Sequence, residues 1–392
     1  MGESRLVGRV QTGTFARLAV AIGFAMAMTA PIEVLYARRL GVGGPGLALY
    51  VLSSGIGVLS VDLFGTRFVP MLEARRALMV GVALFGASSA VLCIAPSFAF
   101  LMAGRLMQGL ASSVLNGSAL QASIRIHSSR ERAVSSVQGS TLLGGALGAP
   151  IGGLIASAVA GTAGFRLAFA VCAALSLAIA GAVRVALPLV PPLLAAVGRA
   201  RLSVPRLSVP PLLRLALVLG MLGHYLRGGL ENTALPLVGD ARGFSTASIG
   251  LTLGLLSVVE IVTLRSSRLL FARWAPSRCL LAGLALGVCA ACVLAISSSL
   301  PGFVAAAAMF GVVDAIAMVA PPLIIMALST DDSTGLASYR IACGFGSMLG
   351  ATTVTGAVAA AGAFGALSVV GGAMLASITL LGAMHRRRVA VS

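Results

Sequence analysis

The chain has 392 residues, 58% of them hydrophobic and only 10% charged, with a mean hydropathy of +1.03. A water-soluble chain of this length carries far more charge and a β-barrel shows short alternating segments, so the composition excludes both and defines a polytopic helical membrane protein. The net charge of +17 comes entirely from arginine, because no lysine occurs; without lysine there is no GxxxxGK[ST] phosphate loop and no ATP hydrolysis by that route.

At about 20 residues per passage the length suits about a dozen helices. Apolar runs predict spans at 15–36, 44–66, 78–95, 99–123, 134–160, 165–189, 212–238, 247–270, 279–297, 301–328, 335–360 and 364–385. The first run is long and eleven more follow it, so it reads as a span and not as a cleavable signal. On one side of the spans lie Arg5 and Arg9; Arg67, Arg75 and Arg76; Arg125, Arg130 and Arg132; Arg199, Arg201 and Arg206; Arg265, Arg268, Arg273 and Arg278; and Arg386 to Arg388. The other side holds little beyond Arg38, Arg39, Arg166 and Arg242. The positive-inside bias therefore puts both termini in the cytoplasm, with the chain multi-pass in the cytoplasmic (inner) membrane. The basic excess is a membrane-face pattern, and no nucleic-acid partner is expected.

Pro191 to Pro211 is the longest connection and is rich in proline and arginine. It reads as a cytoplasmic linker, 191–211, between an N-terminal six-helix half, 1–190, and a C-terminal half, 212–392. The halves are related: a shift of 202 positions lays the stretch from Ala74 over that from Pro276 without a gap. The same shift puts Gly109 on Gly311, Gln138 on Arg340 and Gly148 on Gly350. A duplicated six-span unit is the construction of many secondary transporters, with the site between repeats.

Polar residues inside the spans recur with a period of three helices. Spans 1, 4, 7 and 10 carry Glu33; Arg105; His224, Arg227 and Glu231; and Asp314. Spans 2, 5, 8 and 11 carry Asp62, Gln138, Glu260 and Arg340, whereas spans 3, 9 and 12 carry no ionisable residue in their interiors and span 6 only Arg184 near its end. Every third helix is thus expected to touch lipid and the others to face each other or a central cavity.

In Gly104 to Gly117, Arg105, Gln108, Ser112 and Asn116 share one helix face. A cation at bilayer depth costs roughly 2.5–3.5 kcal/mol, so Arg105 must meet water or a carboxylate, and Glu33 stands at similar depth to pair with it. In span 7, His224, Arg227 and Glu231 share a face, and Arg227 and Glu231 are one turn apart. Glu260 and Arg340 are expected to bridge helices within the second half. Either pair can be a static bridge; alternatively Glu33, Asp62, Glu231 or Asp314 exchanges a proton. The six cysteines lie in or at the ends of apolar runs, and Cys289 and Cys292 have no partners for a zinc site, so they read as small fillers. Gly344-Phe345-Gly346 and the glycines from Gly41 to Gly44 lack the setting of a dinucleotide site, and helix packing explains intramembrane glycines better.

These residues resemble the major facilitator superfamily over almost the whole chain. Arg105-Leu-Met-Gln108-Gly109 is similar to the family's RxxQG motif, whose arginine the resemblance implicates in proton coupling. Gly144-Gly145-Ala-Leu-Gly148-Ala149-Pro150-Ile151-Gly152-Gly153 resembles the glycine-proline motif of drug/proton antiporters, which bends that helix and seals the halves. It departs by Ala149 in place of a glycine and by one residue fewer before the paired glycines. Gly164-Phe165-Arg166 resembles the family's G-[WF]-R turn. The loop motif GxxxDRxGRR survives at Thr66 to Arg76 only in Arg75 and Arg76, with Pro70 or Met71 in the acid's place; Asp62 to Arg67 is a closer letter match but ends span 2 early. The matching loop of the second half, Phe271 to Arg278, also lacks its acid.

The resulting expectation is a twelve-helix secondary transporter, all-α, working by alternating access as a proton-coupled exporter of small lipophilic compounds. It is not an enzyme, needs no cofactor beyond the proton gradient, and acts as a monomer. The expected pathway is lined by Glu33, Asp62, Arg105, Gln108, Asn116, His224, Tyr225, Arg227, Glu231, Asn232 and Asp314. Its apolar walls suit lipophilic substrates better than sugars, which want dense hydrogen bonding. The alternatives are an importer or facilitator of a small organic anion drawn by Arg105 and Arg227, or a non-transporting receptor or scaffold. An intramembrane enzyme needs a nucleophile with a base at the same depth, and His224 is the one histidine in the interior of a predicted span, His127 lying in a loop and His385 at the end of the last span.

Overall fold

The computed structural model describes residues 2–64, 73–126, 130–187, 210–328 and 332–389. These form α1 (Gly2–Arg39), α2 (Gly44–Phe64), α3 (Ala74–Ile94), α4 (Phe98–Ile126), α5 (Arg130–Ala158), α6 (Thr162–Ala186) and α7 (Pro211–Gly229). After one π turn, Leu230–Ala234, follow α8 (Leu235–Ala241), α9 (Thr246–Arg273), α10 (Pro276–Ile296), α11 (Leu300–Leu328) and α12 (Asp332–Val389). Ten helices are each long and apolar enough to cross a membrane. One of them is α12, which breaks at Ala361 and Gly362 and so crosses twice. With the passage through α7, the π turn and α8, the chain makes the expected twelve spans. Helices overrun the predicted ends by several residues; α1 reaches Arg39 and α9 reaches Arg273. Most of the linker 191–211, and the loop carrying Arg67, Pro70 and Met71, lie outside the described residues.

Two short connections show what ends these helices. Gly161, between α5 and α6, has φ 72° and ψ −148°, and Gly362, which breaks α12, has φ 59° and ψ −149°. Both conformations lie in a region that side chains with a Cβ seldom enter, so glycine lets the chain reverse between adjacent spans in one step. Pro150 in α5 and Pro321 and Pro322 in α11 leave their helices unbroken.

Two compact units result, Met1–Leu40 with Ser53–Arg201 and Gly41–Leu52 with Leu202–Ser392. The beginning of α2 groups with the second unit, although its sequence belongs to the first half. In the first unit, α1, α3, α4, α5 and α6 enclose a core of Phe15, Ile22, Met28, Leu78, Phe85, Leu115, Cys172 and Ile179. Outward faces carry exposed Leu143, Leu147, Leu154 and Leu177, the apolar coat a lipid-facing helix needs.

The duplication read from the sequence recurs as matched glycine contacts inside each unit. Gly144, Gly148 and Gly152 bring α5 against the backbone of α1 at Val20, Phe24 and Met28. In the second unit Gly346 and Gly350 bring α12 against α7 at Met221 and Tyr225. Gly109 of α4 lies on Ser54 of α2, and Gly311 of α11 lies on Leu256 of α9. Lipid is as apolar as leucine, so such helices associate by close backbone approach, and only glycine permits it here. Gly346, half of the weak Gly-Phe-Gly motif, is thereby a packing residue; Gly41 and Gly44 instead form the turn after α1 with positive φ.

Candidate functional site

The first unit holds a closed ionic knot between α1 and α4. Thr29 and Glu33 stand one turn apart on α1, and Arg105 and Gln108 one turn apart on α4. Arg105 Nη1 bonds Glu33 Oε2 and donates to Gln108 Oε1 at 2.8 Å. Glu33 Oε1 accepts from Thr29 Oγ1 at 2.7 Å and from Gln108 Nε2, which also lies 3.0 Å from Thr29 Oγ1. Glu33 and Arg105 are 7% and 8% exposed. Both carboxylate oxygens are therefore satisfied, and one positive charge balances one negative. The expected pairing of Glu33 with Arg105 is present. Thr29, absent from the predicted list, completes it; its place one turn before Glu33 was the available signal.

The second unit holds an open knot. Arg227 Nε donates to Glu231 Oε2 at 3.1 Å, so the predicted pair on span 7 is formed. Its other nitrogens reach Glu260 of α9, Nη1 to Oε1 at 2.9 Å and Nη2 to Oε2 at 3.4 Å. Glu260 was expected to bridge to Arg340, whose side chain lies outside the described residues; among those described, its partner is Arg227, whose long side chain reaches α9 from α7. Arg227 Nη1 also touches Met318 Sδ of α11. Asp314, one turn before Met318, is 1% exposed, and neither of its oxygens has a hydrogen-bond partner among the described residues. It lies within electrostatic range of Arg227, Glu231 and Glu260. Among the described side chains, three carboxyl groups thus share one guanidinium.

The π turn carries Glu231 and Asn232. Pro236 has no N–H to give to an α-helical partner, and the extra residue absorbed by the wider turn re-registers the backbone before it, with Leu235 N–H bonding the carbonyl of Leu230. Thr233 Oγ1 donates to the carbonyl of Gly229 and shares in that local rearrangement. The apolar pattern gave no sign of this turn.

Other predicted residues stand apart from the knots. His224 Nδ1 lies 3.3 Å from the carbonyl of Gly220, and its ring meets Tyr339 edge-on at 5.7 Å, so it does not bond Arg227 or Glu231 despite the shared face. Tyr225 Oη is 2.6 Å from Thr353 Oγ1. Asn116 and Asn232 are exposed, and Asn116 is not drawn into the Arg105 knot. Asp62 Oδ1 accepts from Ser113 Oγ of α4 at 2.7 Å. The Gly-Phe-Arg turn that opens α6 is anchored on α1, with Arg166 Nε 3.4 Å from Tyr36 Oη and Phe165 stacked on the Tyr36 ring at 5.9 Å.

At the edge of the degraded loop, an acid the sequence reading passed over is in use. Glu73 lies 3.3 Å from Arg76 Nε and 3.8 Å from Arg75 Nε. Arg75 Nη1 donates to the carbonyls of Arg184 and Leu187 at the end of α6, at 3.4 and 3.3 Å, where helix carbonyls lack partners of their own.

Twelve apolar passages, a repeated glycine packing scheme and charged groups held at membrane depth in each half define a polytopic carrier. The family model of the Major Facilitator Superfamily matches residues 14–351, and the chain belongs to that family; it is a secondary transporter. No curated protein matches the chain. Among solved structures it is similar to a mutant of the nucleoside transporter NupG, with a TM-score of 0.79 at 12% identity, covering 95% of this chain and 99% of that one. It is also similar to a bacterial homolog of the human lysosomal transporter Spinster in an inward-facing, unoccupied conformation. That TM-score is 0.63 at 13% identity, covering 97% and 95% of the two chains. At such identity the likeness reports the shared fold and not the substrate.

Proposed function

We propose that the protein is a proton-coupled exporter of small lipophilic compounds in the cytoplasmic membrane, with both termini cytoplasmic. Its halves, 1–190 and 212–392, work by alternating access through the linker 191–211, in a monomer. The observation that carries proton coupling is the excess of acid in the second half. Among the described side chains one guanidinium, Arg227, serves Glu231, Glu260 and Asp314 together, and a buried charge without a partner is costly, so the cluster has room for a proton. The balanced knot of Glu33 and Arg105 has no such room, so its part in transport rests on the paired charges between α1 and α4 and not on an extra proton. An organic anion finds less support, because Arg105 is held by Glu33 and Arg227 by Glu231 and Glu260.

Everted membrane vesicles acidified inside are expected to load a lipophilic dye, and to stop loading when the gradient is collapsed. Loading confined to right-side-out vesicles would reverse the direction. Glu231 is the most exposed acid of the cluster, with 19% of its side chain accessible against 0% for Glu260. Glu231→Gln, permanently neutral, is expected to transport at a rate that no longer follows pH. An unaltered profile would take Glu231 out of the proton path.

A further inference from the structure

The elbow between α9 and α10 gathers positive charge that no described side chain takes up. The sequence holds no acid between Glu260 and Asp314, and the arginines of that stretch all fall between Arg265 and Arg278. Both helices are long and apolar enough to cross the membrane and only Trp274 and Ala275 separate them, so the elbow stands at the level of the lipid headgroups. Helix α9 has 28 residues where about 20 make a passage, and the surplus begins near Arg265. Arg265, Arg273 and Arg278 are exposed, and none has a hydrogen bond or ion pair from its side chain among the described residues. Leu269, on the same side of α9 as Arg265 and Arg273, is 72% exposed, and Trp274 is 51% exposed.

The matching corner of the first half engages its charge internally. The shift of 202 positions puts Arg76 on Arg278 and Glu73 on Ala275. Glu73 pairs with Arg75 and Arg76, and Arg75 also holds the end carbonyls of α6. The second corner has no acid in the place of Glu73.

We infer that this elbow is a seat for an anionic phospholipid, with its phosphate held by Arg273 and Arg278 and further charge supplied by Arg265. A guanidinium meets a phosphate with paired N–H donors, and an indole settles by preference at the headgroup level, where Trp274 anchors the elbow. A soluble anion would need only the arginines. The exposed leucine and tryptophan beside them offer apolar surface to acyl chains, and that favours lipid.

The acids described nearest the elbow are committed elsewhere. Glu260, five residues before Arg265, is held by Arg227, and Asp314, the one ionisable residue of α11, lies with that cluster. Helix α11 packs on both α9 and α10, and α12 packs on α10. The side chains of Asp332, Arg340, Arg387 and Arg388 of α12 lie outside the described residues, as does Asp331. Asp331 and Asp332 are thus the internal rivals of a lipid for these arginines.

Trp274 is the one tryptophan of the chain, so its fluorescence reports this elbow alone. Purified full-length protein is placed in phosphatidylcholine vesicles with a rising share of brominated lipid, either phosphatidylglycerol or phosphatidylcholine, and the quenching by the two is compared. Brominated phosphatidylglycerol is expected to bind at the elbow about fivefold more tightly, the effect of a single basic residue at a charged surface, or more. With Arg273→Gln and Arg278→Gln together the two lipids are expected to quench alike, whereas Arg273→Lys with Arg278→Lys keeps the preference and Arg76→Gln leaves it unchanged. Circular dichroism and gel filtration establish folding; should the Gln pair fail to fold, each Gln variant is read singly, and a preference undiminished in both overturns the assignment. Equal quenching in the wild-type protein overturns the seat and is the result expected if Asp331 and Asp332 already hold the arginines. A preference that survives in the folded Gln pair, or is lost in the Lys pair, overturns it as well. So does a preference that inorganic phosphate abolishes at constant ionic strength, since the occupant would then be a soluble anion. The measurement needs neither gradient nor substrate, so its failure leaves the proposed transport untouched.

Discussion

Arg105→Ala is expected to abolish gradient-driven transport and to destabilise the folded protein by about 3–5 kcal/mol, the usual cost of removing one partner of a buried ion pair. Glu33 would keep its bonds from Thr29 and Gln108 but lose its only described countercharge in a site where it is 7% exposed. The double variant Glu33→Gln with Arg105→Gln leaves no uncompensated charge, so it is expected to recover most of the stability and none of the transport. Thermal unfolding in detergent, run beside dye accumulation in proteoliposomes, separates the two effects. Full transport by inserted Arg105→Ala would remove the arginine from the mechanism. Full transport by the double variant would show that the knot only holds α1 to α4.

Gly148→Val and Gly350→Val are expected to cost about 3 kcal/mol each and to stop transport, because added carbon would meet backbone and not a movable side chain. At Gly148 a Cβ would come within 3.1 Å of Met28 N and closer still to the carbonyl of Phe24; at Gly350 it would stand 2.7 Å from the carbonyl carbon of Tyr225. Backbone cannot rotate aside, so α1 must part from α5, and α7 from α12. Gly139→Ala on α5, with open space around it, is the control; it is expected to be neutral or to stabilise by about 0.5–1 kcal/mol. The midpoint of thermal unfolding reads all three. A Val variant that unfolds with the Ala control would show that its contact is dispensable, and unequal losses at the two positions would break the equivalence of the halves.

The candidate sites were legible where the pattern is local. Arg227 and Glu231 are one turn apart, and the face shared by Arg105 and Gln108 follows from helical spacing, so sequence predicts both contacts. The partners supplied by other helices were not. Glu260 belongs to Arg227, and Thr29 to the Arg105 knot, because particular helices meet at particular depths. The carboxyl of Asp314, without a donor among the described residues, had no local signature, since that is a property of the surroundings and not of the residue. His224 shows the opposite error: it shares a face with Arg227, yet its ring turned to Tyr339.

Sequence alone determined that this chain crosses a membrane about a dozen times, that its two halves repeat, and that certain helices must hide charge. Those properties are written in residue type and period, because lipid rejects unsatisfied polar groups wherever they fall in a span. Only the tertiary structure decided how the charges were shared out. Among the described side chains, it closed the first half into a neutral knot and left the second with three acids around one arginine. Electrostatic balance is summed over neighbours in space, and neighbours on different helices are chosen by packing, which no stretch of chain contains by itself.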